Sequence, residues 1–291
     1  KKPKKKHRFR NFFLGFCGLN IFLVIMVLFA ACMFIRARLN SMSVIDAQYL
    51  ETYDTSKILD KHGNIIWEPT DKRVEILEYE EIPKLYVDAL VAVEDAGYWT
   101  SPGISYKGIG NMIYTTIASR FDDSIKARGG SSIEQQLIKN VYYNNGEGYE
   151  TTTRKIQEIF LALQLDRNFS KEEILAFYVN HLEYAEGAAG LGQVMKTYFG
   201  KTSDDYEERT IENITELAYL AGLSNAPSAF NLYTNPERAR ERTDVVLSVM
   251  LEAGIITQSE YREAKNFDLS TNLQERGYEA AEQVRRNQKW K

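Results

Sequence analysis

A run of apolar residues close to the N-terminus constrains this chain more than any other feature. Asn20 is the only strongly polar residue in 12–35. This run exceeds the about 20 residues that a helix needs to cross a bilayer. Seven Lys and Arg precede it, and only Arg36 and Arg38 follow it directly. This excess of positive charge before the run predicts a cytoplasmic basic tail at 1–11 and a transmembrane anchor at 12–35, with the rest of the chain outside the membrane.

Two other interpretations of the run are a cleaved signal peptide and a lipoprotein signal that ends at Cys32. The run is longer than the apolar part of a typical signal peptide and continues to Ile35, which favours an uncleaved anchor. Cys17 and Cys32 are the only cysteines, and both lie in this segment. The external part is therefore predicted to have neither a disulfide nor thiol chemistry.

The part of the chain beyond the anchor is acidic. Nine of the 36 Lys and Arg lie in residues 1–38, which contain no Asp or Glu, so 27 basic residues face 40 acidic ones beyond, a formal −13. Such a surface repels nucleic acid and other polyanions. An anionic substrate therefore has to be met by a local cluster of basic side chains.

The external part divides into three segments. The pattern of residues 57–67, with turn residues around Gly63, predicts a short hairpin within a membrane-proximal segment at 36–80. Helical spacing begins near Ile82 and predicts a mainly α-helical domain over 81–265, while 266–291 reads as a polar tail or linker. Helices are predicted near 107–121, 131–143, 151–165, 171–182, 212–223 and 235–253.

An apolar stripe runs through the first of these helices. The residues that recur at helical spacing are Ile109, Met112, Ile113, Thr116, Ile117 and Phe121. A stripe of this kind packs into a protein core or inserts into the outer leaflet of a membrane, and the spacing alone leaves both open.

Two carboxylates and a glycine pair begin the segments with candidate chemistry. Glu94 and Asp95 end a helical stretch and run into a loop, where a partly desolvated carboxylate suits a general base. Gly129 and Gly130 permit close backbone approach before a helix start. Free amides at such a start bind anionic oxygens. Taken singly, each feature is also compatible with an ordinary helix end.

The helix after the glycines and the next one carry the cations. Ser131 and Glu134 predict a capping box, with Gln135 and Lys139 one turn apart on one face. Further on, Arg154 and Lys155 share a helix face with Glu158, as in many surface ion-pair stripes. Together with Lys139 and Arg128, they predict a basic hollow around a carboxylate, which suits a diphosphate leaving group.

In this order, the motifs resemble those of the glycosyltransferase domain of class A penicillin-binding proteins and monofunctional peptidoglycan glycosyltransferases. The resemblance runs from about residue 57 to 256 and rests on segments 94–103, 129–140, 154–158, 171–180 and 242–247. It implies a mainly α-helical, lysozyme-like domain of two lobes with a cleft between them, behind a single transmembrane helix. Tyr98 and Ser101 stand where the family usually has Phe and His.

The resemblance implies an enzyme that polymerises lipid II into β-1,4-linked glycan strands by inverting transfer from a lipid diphosphate donor. Glu94 is implied to be the general base, and Glu158 to orient cations or hold a divalent cation, Mg²⁺ or Mn²⁺, with no organic cofactor. The residues expected to contact substrate or support the base are Asp95, Arg128, Gly130, Ser131, Ser132, Gln135, Gln136, Lys139, Asn140, Arg154, Lys155 and Asn180.

The implied partners are lipid II, the nascent glycan strand, membrane lipid and other cell-wall synthesis proteins, on the outer face of the bacterial cytoplasmic membrane. Two other functions stay open. A lysozyme-like muramidase also uses paired carboxylates, but needs one as an acid in an apolar pocket. A catalytically weak membrane scaffold is the other, favoured by the altered first motif. The motifs leave open whether the chain is monofunctional or part of a bifunctional protein.

Overall fold

A computed structural model describes residues 5–39, 45, 50, 58–62, 65–67, 73–118, 120, 122, 130–143 and 151–276. Helix α1, Lys5–Leu39, contains the stretch Phe12–Ala37, which is long and apolar enough to cross a membrane. Its large apolar side chains are exposed, from Phe12 at 73% to Phe34 at 45%. Such a surface is stable only when an apolar phase covers it.

The described residues contain two small pairs of strands, one before the helical domain and one that includes a strand within it. Strand β1, Ile58–Leu59, pairs antiparallel with β2, Ile65–Trp67, within the segment where the sequence predicted a hairpin. Strand β3, Arg73–Val74, pairs in parallel with β4, Ala188–Ala189. The second pair ties the chain that arrives from the hairpin to a loop more than a hundred residues further on.

The six predicted helices are all present, with ends that differ by a few residues from the expected ones. The helices after α1 are α2 Lys84–Glu94, α3 Tyr106–Ala118, α4 Ile133–Tyr142, α5 Thr151–Asn168, α6 Lys171–His181, α7 Leu191–Phe199, α8 Ile211–Leu223, α9 Pro236–Glu252 and α10 Gln258–Asn266. The mainly α-helical class is therefore confirmed.

The helices form two groups around one continuous apolar core. Helix α8 is the centre of the first group: its residues 213–223 are all buried, and α2, α9 and α10 pack against it. In the second group, α4 packs against α5 and α6. The two groups bring the ends of α2 and α8 opposite the start of α4, and a cleft opens between them.

Side-chain caps determine where several helices begin. Ser170 and Thr257 each accept a hydrogen bond from the amide three residues later, and the glutamate at that position accepts one from the amide of the cap residue. These are capping boxes, which satisfy amide groups that a helix start leaves unpaired.

The choice between core packing and lipid insertion for the apolar stripe on α3 stays open, because most side chains of the stripe lie outside the described residues. Tyr114 on that helix is 66% exposed.

Candidate active site

A cleft of about 530 Å³ lies where α2, α4, α5, α6, α8 and α9 meet. It contains eight of the site residues predicted from the sequence: Glu94, Gly130, Ser131, Gln135, Gln136, Lys139, Asn140 and Glu158. Six residues that were not predicted also line it: Val93, Tyr178, Leu182, Ser224, Asn225 and Arg242.

A second cavity, of about 490 Å³, lies between residues 80–88 and 203–209. Its charged lining is mainly acidic, with Lys84 and Arg209 against Glu80, Glu81, Asp88, Asp204, Glu207 and Glu208. It contains none of the predicted site residues. The first cleft is therefore the candidate site for an anionic substrate.

Glu94 is the last residue of α2, and its side chain is only 8% exposed. One carboxylate oxygen accepts a hydrogen bond from Gln136 Nε2 at 3.2 Å, and the other lies 3.4 Å from Arg242 Nη2. Both contacts are longer than the usual charge-assisted bond. Two donors at the cleft wall thus orient the carboxylate, and its oxygens can still accept further hydrogen bonds.

Asp95 lies behind this wall and joins two helices. Its side chain accepts a 3.4 Å hydrogen bond from the amide of Ile133, the first residue of α4. Burial raises the pKa of Asp95, while the backbone amides of Ile133 and Gly97 act in the opposite direction. Asp95 therefore couples the end of α2 to the start of α4, and it does not line the cleft.

The capping box at the start of α4 is one residue away from the predicted one. Ser132, not Ser131, is the N-cap, and its partner is Gln135. The side chain of Glu134 turns into the protein instead, where it is fully buried and paired with Lys171 at 2.5 Å. The hydroxyl of Ser131 is consequently free of the cap and accepts a hydrogen bond from Lys155 at 2.7 Å.

Gln135 keeps one unused donor in the cleft wall. Its oxygen caps the amide of Ser132 at 3.0 Å. Its Nε2 atom is buried and has no hydrogen-bond partner within the part of the chain that the structure describes. A buried donor without a partner is costly, so this atom is well suited to meet a substrate oxygen.

Close backbone packing holds the loop before α4 in place. A Cβ atom added to Gly108 on α3 would lie 1.7 Å from the carbonyl oxygen of Gly130, and one added to Gly130 would lie 2.5 Å from the Cα of Gly108. Only two glycines permit this approach. The sequence indicated close approach at Gly130 but not its partner Gly108.

The predicted basic hollow forms around Glu158, which is 3% exposed in its side chain. Arg154 Nε lies 3.2 Å from one carboxylate oxygen, and Lys155 Nζ lies 3.0 Å from the other. Lys139 is exposed at the rim of the same cleft. Arg128, the remaining predicted cation, lies outside the described residues.

The surroundings of Glu158 do not fit a metal site built by the protein. Among the described residues, no group of three or more His, Cys, Asp and Glu side chains lies close enough to share an ion. Both oxygens of Glu158 already face cations, and a divalent ion would have to displace them. The donor set suits an anion beside Arg154 and Lys155 better than Mg²⁺ or Mn²⁺.

Two predicted substrate-binding residues serve the fold. Asn180 is buried, and its amide accepts a hydrogen bond from Leu77 N at 3.1 Å and donates one to Leu77 O at 2.9 Å. Ser132 caps α4 and donates to the carbonyl of Gly103 at 2.7 Å. Neither side chain lines the cleft.

The first motif's altered residue Tyr98 is fully buried. Its hydroxyl donates to the carbonyl of Lys171 at 2.5 Å, and the Lys171 ammonium lies 4.7 Å from the centre of its ring. Lys171 also pairs with Asp166 at 2.7 Å. Tyr98 therefore anchors the first loop to the start of α6.

Of the six cleft residues that sequence reasoning missed, Arg242 and Tyr178 bond to predicted site residues. Both fall inside motifs that were recognised, but neither was singled out, because their neighbours in the cleft are distant in the chain. Arg242 bonds to the carbonyl of Gly222 at 3.2 Å as well as approaching Glu94. Tyr178 donates to Gln136 at 3.0 Å.

Residues 62–251 match the protein-family model described as Transglycosylase. The chain belongs to the transglycosylase family. All five motifs and the whole lining of the cleft lie within the matched residues. The unusual Tyr98 and Ser101 therefore occur inside a transglycosylase domain.

Similar proteins extend beyond this domain. Penicillin-binding protein 1A/1B of Bacillus subtilis is 34% identical over 265 residues, covering 91% of this chain and 28% of its own. Penicillin-binding protein 1A of Streptococcus oralis is 30% identical, covering 90% and 39% respectively. The crystal structure of penicillin-binding protein 1A from Haemophilus influenzae aligns with 80% of this chain and 24% of its own, at 21% identity and a TM-score of 0.42. The chain thus spans less than two fifths of the length of these relatives.

Proposed function

We propose that this chain is a peptidoglycan glycosyltransferase that polymerises lipid II into β-1,4-linked glycan strands, with Glu94 as the general base. One observation carries the proposal. A single cleft holds two carboxylates in different settings, Glu94 between two hydrogen-bond donors and Glu158 between two cations. The membership of the transglycosylase family and the similarity to penicillin-binding proteins support it.

In the proposed step, the 4-hydroxyl oxygen of lipid II attacks the anomeric carbon of the growing strand. The bond from that carbon to the lipid diphosphate breaks, with inversion, and the diphosphate leaves with the bonding electrons. Glu94 accepts the hydroxyl proton as the new bond forms, which is the role of a general base. The two donors to Glu94 keep its carboxylate directed for this transfer.

The leaving diphosphate gains negative charge, and cations stabilise it. Lys139 lines the cleft, and Arg154 and Lys155 adjoin it through their contacts with Glu158, so positive charge gathers on one side of the cleft in a domain that is otherwise acidic. Ser131 and the unused donor of Gln135 offer hydrogen bonds to phosphate or sugar oxygens. The proposal assigns Glu158 the role of holding Arg154 and Lys155 in position.

The proposed location is the outer face of the bacterial cytoplasmic membrane. Helix α1 would cross it once, with the basic residues 1–11 inside, in agreement with the positive-inside bias. Its proposed partners are lipid II, the growing glycan strand, membrane lipid and other cell-wall synthesis proteins. The acidic outer domain disfavours nucleic acid.

The geometry favours a transferase over a muramidase. A muramidase needs a protonated carboxyl as acid in an apolar setting. Glu158 instead has a cation at each oxygen, which is a charged setting and not an apolar one. The assay that tests the proposed function is polymerisation of labelled lipid II by the purified full chain: strands of many disaccharides support it, and no product at all favours the scaffold.

We expect Lys139→Ala and Arg154→Ala each to lower polymerisation about tenfold, because each removes a charge-assisted contact to the diphosphate. The loss should appear with a lipid diphosphate donor, measured as initial rate with labelled lipid II. Arg262→Ala is the matched control, since it removes an exposed positive charge on α10 away from the cleft. Equal rates in all three variants would contradict the basic hollow.

We expect Glu158→Gln to lose roughly tenfold or more in rate, since it leaves Arg154 and Lys155 without their counter-charge. Glu158→Asp keeps the charge and should retain more activity. Initial rates of both variants should be measured against pH and against Mg²⁺ or Mn²⁺ concentration. A basic limb of the wild-type profile that vanishes in Glu158→Gln would instead make Glu158 an acid and revive the muramidase-like mechanism.

A further inference from the structure

The side-chain amide of Gln136 has two ends of almost equal shape and opposite hydrogen-bonding character. In the cleft, its Nε2 faces Glu94 at 3.2 Å, and its Oε1 faces the hydroxyl of Tyr178 at 3.0 Å. The reverse orientation would set an amide oxygen against the carboxylate of Glu94. Which end faces Glu94 therefore decides whether the proposed base meets a donor or an acceptor.

Glu94 alone does not hold this orientation through a catalytic cycle. Before proton transfer its carboxylate accepts from Gln136; after transfer, a protonated Glu94 is itself a donor. A turned amide would then accept that proton in a hydrogen bond and favour the protonated, unreactive state. A second partner that donates to Oε1 before and after transfer opposes this, because turning the amide breaks that bond and requires the donor group to reorient.

Tyr178 has the properties of that partner. It lies on the buried face of α6, is 1% exposed, and its hydroxyl is directed at Gln136 Oε1 from the floor of the cleft. Burial raises the pKa of Tyr178 well above its ordinary value, so the hydroxyl keeps its proton. Two other buried tyrosines, Tyr86 and Tyr184, pair with each other at 3.1 Å and do not line the cleft.

We infer that Tyr178 is a positioning residue, whose hydroxyl holds the Gln136 amide with its donor end toward Glu94. The inference rests on the proposed function, in which Glu94 is the base. The charged and titratable groups around Glu94 are Arg242 from α9, Tyr86 from its own helix α2, and Tyr178 from α6. Only the last of these contacts Gln136 in the described part of the chain.

The test removes this hydroxyl as Tyr178→Phe in the full-length chain. We expect kcat with labelled lipid II to fall about tenfold, the worth of one buried hydrogen bond, while KM stays within about twofold. Tyr219→Phe is the matched control: Tyr219 is equally buried, and its hydroxyl bonds to the backbone of Phe230 and Leu232 away from the cleft.

A double-mutant cycle separates orientation from a general packing effect. In a Gln136→Met background the amide is absent, so adding Tyr178→Phe should cause no further loss. An undiminished tenfold loss in that background would overturn the inference. An effect of Tyr219→Phe on kcat as large as that of Tyr178→Phe would overturn it as well.

A measurement without substrate distinguishes failure of this inference from failure of the proposed function. In chain labelled with ¹⁵N-glutamine, the side-chain amide of Gln136 is identified by its loss in Gln136→Met. Its protons should exchange with solvent about tenfold faster in Tyr178→Phe, because the amide no longer keeps its Nε2 on Glu94 and loses the protection of that hydrogen bond. In Tyr219→Phe the exchange should be unchanged. Unchanged exchange in Tyr178→Phe overturns the inference. If exchange is faster in Tyr178→Phe but the wild-type chain makes no glycan strands, the contact is supported and only the proposed function is rejected.

Discussion

Glu94→Gln is expected to slow lipid II polymerisation about 10²-fold to 10⁴-fold, the range that a general base contributes. The substitution preserves the shape of the side chain and removes the proton-accepting oxygen pair. Its amide nitrogen would also face a donor, either Gln136 or Arg242, which costs on the order of 1 kcal/mol of stability. Initial rates with labelled lipid II and thermal unfolding should be measured on the same preparation.

Glu241→Gln is the control for this experiment, since it removes an exposed carboxylate beside Arg242 on α9. We expect it to polymerise at the wild-type rate. A Glu94→Gln variant that is folded and works within a few-fold of the wild type would show that another group takes the proton. The proposed mechanism, though not the family, would then be wrong.

The second large effect is expected from a substitution that removes no polar group. Gly108→Ala places a methyl group 1.7 Å from the carbonyl oxygen of Gly130, and neither backbone can yield without moving the loop that carries Ser131. Overpacking of this kind costs about 1–3 kcal/mol in stability. A displacement of about 1 Å in an active site costs on the order of a hundredfold in rate.

Gly110→Ala, two residues further along α3, is the matched control, because a Cβ there meets no atom within 4 Å among the described residues. Replacing an exposed helical glycine with alanine stabilises a helix by about 1 kcal/mol. We therefore expect Gly110→Ala to remain as active as the wild type and to unfold at a higher temperature. Similar rates for the two alanine variants would contradict the role of the glycine contact.

The sequence by itself determined the features that depend on neighbours within one or two turns. The long apolar helix follows from the composition of residues 12–35, and the other helices follow from apolar spacing and capping residues such as Ser170. Arg154, Lys155 and Glu158 meet because residues three and four apart share a helix face. In each case the partners lie on one element, so spacing alone brings them together.

Only the tertiary structure decided which distant side chains meet. Glu134 pairs with Lys171 rather than joining the predicted capping box, because α6 packs beside α4. Asn180 bonds to Leu77, 103 residues away, and Arg242 reaches Glu94 across 148 residues. Each of these contacts depends on the angle and separation at which two helices or segments pack, and no periodicity in the chain specifies that geometry.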